Sequence, residues 1–445
     1  MIPVLKIHDM TPGRRSNVVR LKWGKFQRKT GDFWLNWHCI EAFNCESLSP
    51  RLVDLTCIAA AVYAADRYIK RPHMRSPGGW GRHINVDLPV YEPHFWSGAT
   101  VQRLLSSALA FLTDDTWRFS FTENKTPADA QKPLFNKPEA SAHFLYSGGL
   151  DSAAGLVRYA QKNPKQIITP VLVGHRTDLP GLVRKQLARI RETFPNILNP
   201  LAIVCGMRKP PAEEKTQRTR NFLFLSVAGA SATCLHGDSV QVGENGVGAI
   251  NFPLSTIMTG ALSTKGTHPY FLSLMSELMS AVQDGRSFSY ELPNLDCTKG
   301  ELLAHFKAAG LESIVGDTLS CSHIQRNSAA KQCGRCVACV FRRQSLHAAG
   351  IADPKHQYVA HLFDKGESHI HKEGATALKF FLGMVDRIAD EEQLQAYLLS
   401  TNIQPTKAIF SLFRRYRAEW ISFCNQCKRE KWAWAQYMMP KGVTV

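Results

Sequence analysis

An α/β protein built on a doubly wound parallel sheet is the fold class predicted by three features of the 445-residue sequence. From His143 onward, short apolar segments alternate with helical stretches, the pattern of a parallel sheet with crossover helices. A Ser-Gly-Gly turn separates the first of these segments from the helix after it. Four cysteines are gathered between Cys321 and Cys339, too close in sequence to be scattered core thiols.

The apolar segments place strands at His143 to Tyr146, Ile167 to Val173, Leu201 to Val204 and Ser239 to Val242. Helices are expected at Ser152 to Gln161, Gly181 to Phe194 and Thr219 to Leu235. Together they form a unit over residues 141–350. Residues 1–140 read as an N-terminal α+β accessory unit. Leu52 to Ile69 has helical spacing, Ile84, Val86, Leu88 and Val90 alternate as in a strand, Val101 to Leu112 is helical again, and Trp117, Phe119 and Phe121 share a strand face. Thr122 to Lys137, rich in Lys, Pro and Asn, reads as a linker. Residues 351–445 are expected to be helical, through Ala375 to Ile388, Glu392 to Leu399 and Thr406 to Trp434.

Composition bounds the function. A hydrophobic content of 44% with 20% charged residues fits a folded globular chain. The N-terminal MIPVLKIHDMTPGRR lacks the apolar stretch of a signal peptide, and the longest apolar run, near Phe222 to Leu235, is too interrupted to span a bilayer. A cytoplasmic protein without membrane contact is expected. The formal net charge of +17 attracts polyanions, and Gly13 to Lys29 and Arg414 to Lys431 are strongly basic. Solvated faces or an acidic partner account for that charge as well as nucleic acid does, so nucleic-acid binding is possible but not favoured.

The string HFLYSGGLDS carries the most chemistry. Gly148 and Gly149 let the backbone turn tightly, so that several N–H groups and the positive end of the following helix face an anion. Ser147 and Ser152 add hydroxyls, and Asp151 suits a phosphate-bound Mg²⁺. The plain alternative is a strand-to-helix turn capped by Asp151 or Ser152. No GxxxxGK[ST] string occurs, which disfavours γ-phosphate transfer of the Walker type. Cys321, Cys333, Cys336 and Cys339 have the spacing of a closed four-thiolate metal site, with Zn²⁺ favoured and an iron–sulfur cluster as the competitor. Cys424 and Cys427, an isolated pair on a helical stretch, read as packing or surface thiols.

SGGLDS resembles the PP-loop of N-type ATP pyrophosphatases, and SGGLDS followed by SC-x11-CGRCVAC resembles the QueC family. The fold this implies is adenine-nucleotide-hydrolase-like, and the implied substrates are ATP with Mg²⁺ and a 7-deazaguanine carboxylate. In that reading Ser147, Gly148, Gly149, Leu150, Asp151 and Ser152 hold the nucleotide. RTRNFLFLSVAGA looks like the family's Arg-Asn helix, which makes Arg220 catalytic and Asn221 nucleotide-binding. DCTKGEL looks like its Lys-x-Glu segment and contributes Lys299, a candidate cation for phosphate or carboxylate counted as catalytic with Asp151 and Arg220. Between Glu244 and Ser255 the sequence departs from the family, lacking its Tyr-Ser-Gly-Tyr-Pro-Asp-Cys-Arg string. Glu244 and Asn245 stand there as an alternative pair for a base edge or as an ordinary loop and cap.

With its extra N-terminal unit, containing DLTCIAAAVYAADRYIKR and WGRHINVDLPV, the chain also looks like the QatC proteins of the Qat anti-phage systems. That resemblance implies an ATP-dependent ligase releasing AMP and pyrophosphate. Its acceptor would be an amine, the N-terminus of a partner protein from the same operon. The alternatives are a 7-cyano-7-deazaguanine (preQ0) synthase using ammonia, a PP-loop tRNA-modifying enzyme, and an interaction scaffold that has lost catalysis.

Overall fold

The computed structural model describes residues 4–11, 17–24, 33–35, 49–72, 80–125, 140–174, 178–207, 214, 216–255, 264–322, 332–359, 372–430, 435 and 439–440. Its spine is a ten-stranded sheet. One half is parallel throughout and consists of β6 (Ala142–Leu145), β7 (Ile168–Gly174), β8 (Leu201–Met207), β9 (Ser239–Val242) and β10 (Ser289–Glu291), in the order β10-β9-β6-β7-β8. β7 is buried along its whole length, as a strand covered on both faces must be. Val171 and Val173 face one core, whereas Ile168 and Leu172 face the other.

The helices that fill these cores follow from sequence patterning. α4 (Leu150–Lys162) and α5 (Leu179–Thr193) bury Leu156, Val157, Val183, Leu187 and Ile190 against one face. α6 (Arg220–Cys234) and α8 (Pro269–Val282) cover the other. α8 and β10 were missing from the expected elements, although FLSLMSELMSAV has helical spacing of apolar residues. The short α7 (Gly246–Ile250) follows β9.

The N-terminal residues form no separate core. α1 (Pro50–Tyr68) is buried on nearly every side, and its residues join α3 (Ala99–Thr113), α6 and α8 in one apolar cluster. β4 (His83–Val90) and β5 (Thr116–Glu123) pair in parallel across α2 (Pro93–Trp96) and α3, so this region contains a crossover unit of its own. β1 (Val4–Asp9), β2 (Asn17–Gly24) and β3 (Phe33–Leu35), none of them expected, tie it to the parallel half. β3 pairs antiparallel with β8 from Phe33 opposite Met207 to Leu35 opposite Cys205. The expected linker begins later than Thr122. Thr122 and Glu123 end β5, opposite Pro89 and Val90, and residues 126–137 of the linker lie outside the described residues.

Beyond the cysteines, α11 (Lys372–Arg387), α12 (Glu391–Ser400) and α13 (Lys407–Arg429) form a helical layer. They pack around Phe381, Trp420 and Phe423 and against α10 (Val337–Ala348). Residues 431–434 of the last expected helix lie outside the described residues. No helix among the described residues is long and apolar enough to cross a membrane.

Candidate functional site

The strand order fixes where a ligand fits. From β6 the chain proceeds outward through β7 and β8, then returns to add β9 and β10 on the opposite side of β6. The loops leaving β6 and β9 therefore diverge, and a crevice opens at the carboxyl ends of these two strands. Ser147, Gly148 and Gly149 leave β6 there, and Glu244 and Asn245 leave β9.

Gly148 has φ +75°, a left-handed conformation that strains any residue with a side chain. A Cβ at Gly149 would press on Ser147 Oγ and on the Leu319 carbonyl at 3.2 and 3.3 Å. Gly149 is the N-cap of α4 and offers no side chain to the first turn, so those N–H groups remain directed at a ligand. The helix starts at Leu150, earlier than the expected Ser152, which puts Leu150, Asp151 and Ser152 in that turn. The Ser147 N–H and Oγ–H both donate to Ser152 Oγ, at 3.3 and 3.2 Å, and Ser152 donates to the Gly149 carbonyl at 2.9 Å.

A side chain of α5 and the backbone of the segment before Cys321 hold the turn. The Gln186 amide of α5 donates to the Gly148 carbonyl at 3.2 Å and accepts from the buried Tyr146 hydroxyl at 2.9 Å. The Leu319 N–H donates to the same carbonyl at 3.1 Å. Leu319 lies on the segment leading to Cys321. The fully buried Arg342 of α10 fastens that segment through Thr318 Oγ1 at 2.8 Å and the Val315 carbonyl at 2.6 Å. None of these contacts has a sequence signature, because Gln186 and Arg342 sit in ordinary amphipathic helices.

Charge is concentrated just inside the turn. Lys299, the first residue of α9 (Lys299–Ala308), is nearly buried and donates to Asp151 Oδ2 at 2.8 Å. Its ammonium also lies 4.8 Å from the Phe341 ring centre. A capping box between Thr298 and Glu301 fixes the start of α9, and so the origin of this lysine. Asp151 Oδ1 accepts from Asn245 Nδ2 at 3.0 Å, so both carboxylate oxygens of Asp151 have protein donors. Asn245 is at once a cap and a site residue. Its Oδ1 accepts from the Gly248 N–H at 2.9 Å, and its Nδ2 also reaches Glu244 at 2.8 Å. Burial, then the neighbouring Asp151 charge, push the Glu244 carboxyl up to about 8, with Lys299 opposing them.

Arg220 and Asn221 open α6, which follows β8 at the same end of the sheet. Arg220 is exposed, with its guanidinium 5.8 Å from the Phe224 ring centre, and Asn221 packs on the Gly266 backbone. Among the described residues neither contacts Asp151 or Lys299. The start of α6 is held instead by a buried ion network that sequence reading missed. Asp66 accepts from the Thr219 N–H and hydroxyl at 3.1 and 3.2 Å. Arg82, wholly buried, joins Asp66 to Asp115 at 2.6 and 2.7 Å, and Arg71 meets Asp115 at 2.9 Å. Burial works against ionised Asp66, but Arg82 and Arg71 outweigh it and hold its carboxyl below the usual range.

Cys321, Cys333, Cys336 and Cys339 converge, all buried, with their sulfurs within 4.8 Å of one another. Cys333 Sγ and Cys339 Sγ are 3.8 Å apart, the spacing of about 3.8 Å that tetrahedral Zn–S bonds of about 2.3 Å would give. The Cys333 and Cys336 N–H groups donate to Cys321 and Cys333 sulfurs, each at 3.3 Å, and Gly334 turns between them at φ +80°. Cys424 and Cys427 are packing residues, buried in the helical layer on α13.

Known proteins bear on this arrangement. The family model described as queuosine biosynthesis protein QueC matches residues 209–350. A 7-cyano-7-deazaguanine synthase of Azoarcus sp. is 30% identical over 235 residues, 48% of this chain and 95% of that protein. Synthases of Methylobacillus flagellatus and Hydrogenovibrio crunogenus are 28% and 27% identical, and the chain spans only 54% and 60% of their lengths. The Azoarcus match runs through nearly the whole relative at this identity, and the mixed α/β fold with its parallel sheet and four-cysteine cluster agrees with it, so the chain belongs to the QueC family.

Proposed function

We propose that this chain uses ATP to adenylate the carboxylate of 7-carboxy-7-deazaguanine and passes the acyl group to an amine. The observation that carries the reading is the uncapped N-terminus of α4 at the sheet's switch point, with Lys299 held beside it by Asp151. The α4 amides and the Ser147 and Ser152 hydroxyls receive the β- and γ-phosphates, leaving the α-phosphorus open. A carboxylate oxygen attacks that phosphorus, the bond to the bridging oxygen breaks, and pyrophosphate departs with its charge met by Lys299 and the amides. Mg²⁺ arriving with ATP would neutralise further phosphate charge, and Asp151 is the carboxylate at hand for it. The amine then attacks the acyl carbon and AMP leaves. Glu244, with its proton affinity near neutrality, accepts the amine's proton. Arg220 and Asn221 complete the nucleotide side of the crevice from the start of α6.

Zn²⁺ is the ion we assign to the four cysteines. Four sulfurs this close surround a single ion, whereas an iron–sulfur cluster would hold them apart on separate irons. Its role is structural, since four thiolates leave no position for water.

The acceptor we favour is the N-terminal amine of a partner protein, in an anti-phage system of the Qat type. Support comes from residues 1–140, which precede the segment that resembles the family, and from the family string missing between Glu244 and Ser255. A second reading, release of the free nitrile with ammonia as nucleophile, is favoured by the names of the relatives. Incubation with the acid, ATP and either ammonia or the neighbouring operon protein, followed by mass spectrometry, decides between them. A mass gain on the partner is expected. Free nitrile with an unmodified partner would establish the second reading, and ATP left intact under both conditions would remove the adenylation itself.

A further inference from the structure

Next to the crevice lies a second group of polar side chains that the chemistry above does not use. His268 is fully buried at the N-cap of α8. Its Nδ1 accepts from the Tyr270 N–H at 3.2 Å. A neutral imidazole that accepts at Nδ1 carries its proton on Nε2. Burial, and then the nearby Lys265 charge, keep this ring neutral, with its pKa pushed down to about 3. His268 Nε2–H is therefore a buried donor, and among the described residues it has no acceptor.

The surroundings supply more donors. Lys265 is 8% exposed, and its ammonium lies 4.5 Å from the Phe111 ring centre. Among the described residues no acceptor is recorded for it. The His268 ring packs on the same Phe111, with centroids 5.0 Å apart, and Tyr270 meets Phe111 edge-on at 5.1 Å. Burial lowers the Lys265 pKa, the exposed Asp114 opposes that shift and Arg218 adds to it, so the ammonium sits largely out of water. Such a concentration of donors and positive charge is costly unless an anion compensates it.

α7 locates this group relative to the nucleotide site. At one end of the helix Asn245 bonds to Asp151, and at the other the Asn251 amide donates to the Thr264 carbonyl, next to Lys265. A five-residue helix is about 7.5 Å long. α7 and these two bonds thus connect the segment that carries Lys265 and His268 to the Asp151 side of the crevice. The Gly266 backbone also packs so tightly on Asn221 that a Cβ there would collide with the Asn221 amide.

We infer that Lys265 and His268, with Phe111 from the N-terminal region as an aromatic wall, form the pocket for the acidic substrate, a planar heterocyclic carboxylate. Lys265 attracts the carboxylate, His268 Nε2–H donates to it, and Phe111 covers the ring. The assignment rests on the adenylation reading for the name of the acid. It gives the N-terminal region a part in substrate choice, and it supplies a recognition device to a sequence that lacks the family string between Glu244 and Ser255.

Calorimetry of the intact, metal-loaded chain with 7-carboxy-7-deazaguanine and, separately, with Mg-ATP tests the inference. Lys265→Met should weaken acid binding tenfold or more and change ATP binding less than twofold. On the wild-type chain labelled with ¹⁵N-histidine, the acid should shift the His268 Nε2 resonance and ATP alone should not. Acid binding undiminished by Lys265→Met, with the resonance unmoved, would overturn the pocket and leave adenylation standing. Selective loss in the variant, with no AMP formed by the wild type, would keep the pocket and remove adenylation. A wild-type chain that binds ATP but not the acid overturns both.

Discussion

Two clamps grip the crevice from opposite sides, and they differ in kind. On one side the four-cysteine cluster reaches the Ser-Gly-Gly turn through Leu319, whose N–H binds the Gly148 carbonyl. On the other, Arg82, Arg71, Asp66 and Asp115 hold the first turn of α6 through Thr219. The first depends on an external ion. The second is assembled from the chain's own charges, brought out of water at a cost that only complete pairing offsets. The cysteine clamp should therefore respond to metal and the ionic clamp should not.

The largest effect expected is on the metal side. Cys336→Ser, or strong chelation, should abolish stoichiometric zinc in elemental analysis. Structural zinc contributes on the order of 10 kcal/mol to local folding, so ATP binding should be lost with it. Retention of both stoichiometric zinc and ATP binding by Cys336→Ser would break the proposed link to the turn. On the ionic side, Asp115→Ala strands two buried guanidinium groups and should cost about 3–5 kcal/mol in urea denaturation, with zinc content unchanged. Lys299→Ala lies between the clamps. It should lower ATP-dependent AMP formation by about 10²–10³-fold, some 2.7–4 kcal/mol, with little loss of zinc.

Acid sharpens the comparison. His143 in β6 is buried, which pushes its pKa down to about 4 from an unfolded value of 6.5. The unfolded chain takes up this proton first, so stability should fall as pH drops from 6.5 towards 4, by up to about 3 kcal/mol at about 1.4 kcal/mol per unit. Asp66 behaves differently. Its depressed pKa contributes stability above about 3.8 that is lost only as pH falls further through the folded value. Denaturation curves between pH 7 and pH 3 should therefore decline in two stages, the first shared by His143 and the buried His268, and His143→Phe should reduce that first decline. The smallest effect belongs to Thr219→Val, which removes one hydroxyl bond to Asp66 and should cost about 1 kcal/mol.

The clamps also differ in how far they could be read from sequence. Cys321, Cys333, Cys336 and Cys339 have ligand spacing, and Gly148 and Gly149 stand between an apolar strand and a helix, so local pattern was enough to place both. Asp66, Arg82, Asp115 and Thr219 are separated by up to 153 positions, and each alone reads as an ordinary surface residue. Only the packing of α1 on α6 brings them together. β1 to β3 were missed for a related reason. Val19, Leu21 and Trp23 alternate, but the surrounding arginines and lysines made Gly13 to Lys29 read as a charged stretch rather than a strand. Glu244 and Asn245 were noticed as a departure from the family string, while their contact with Asp151 depends on β9 returning beside β6, a topological fact that spacing does not carry.

The three-residue pairing of β3 with β8 has a consequence for trimming the molecule. β8 would otherwise be the last strand on its side of the parallel array, and it is rich in Leu, Ile, Val and Cys. Cutting away the segment before Pro50 would leave its row of amides and carbonyls open to a neighbouring molecule, inviting self-association. The shortest well-behaved fragment must keep that strap.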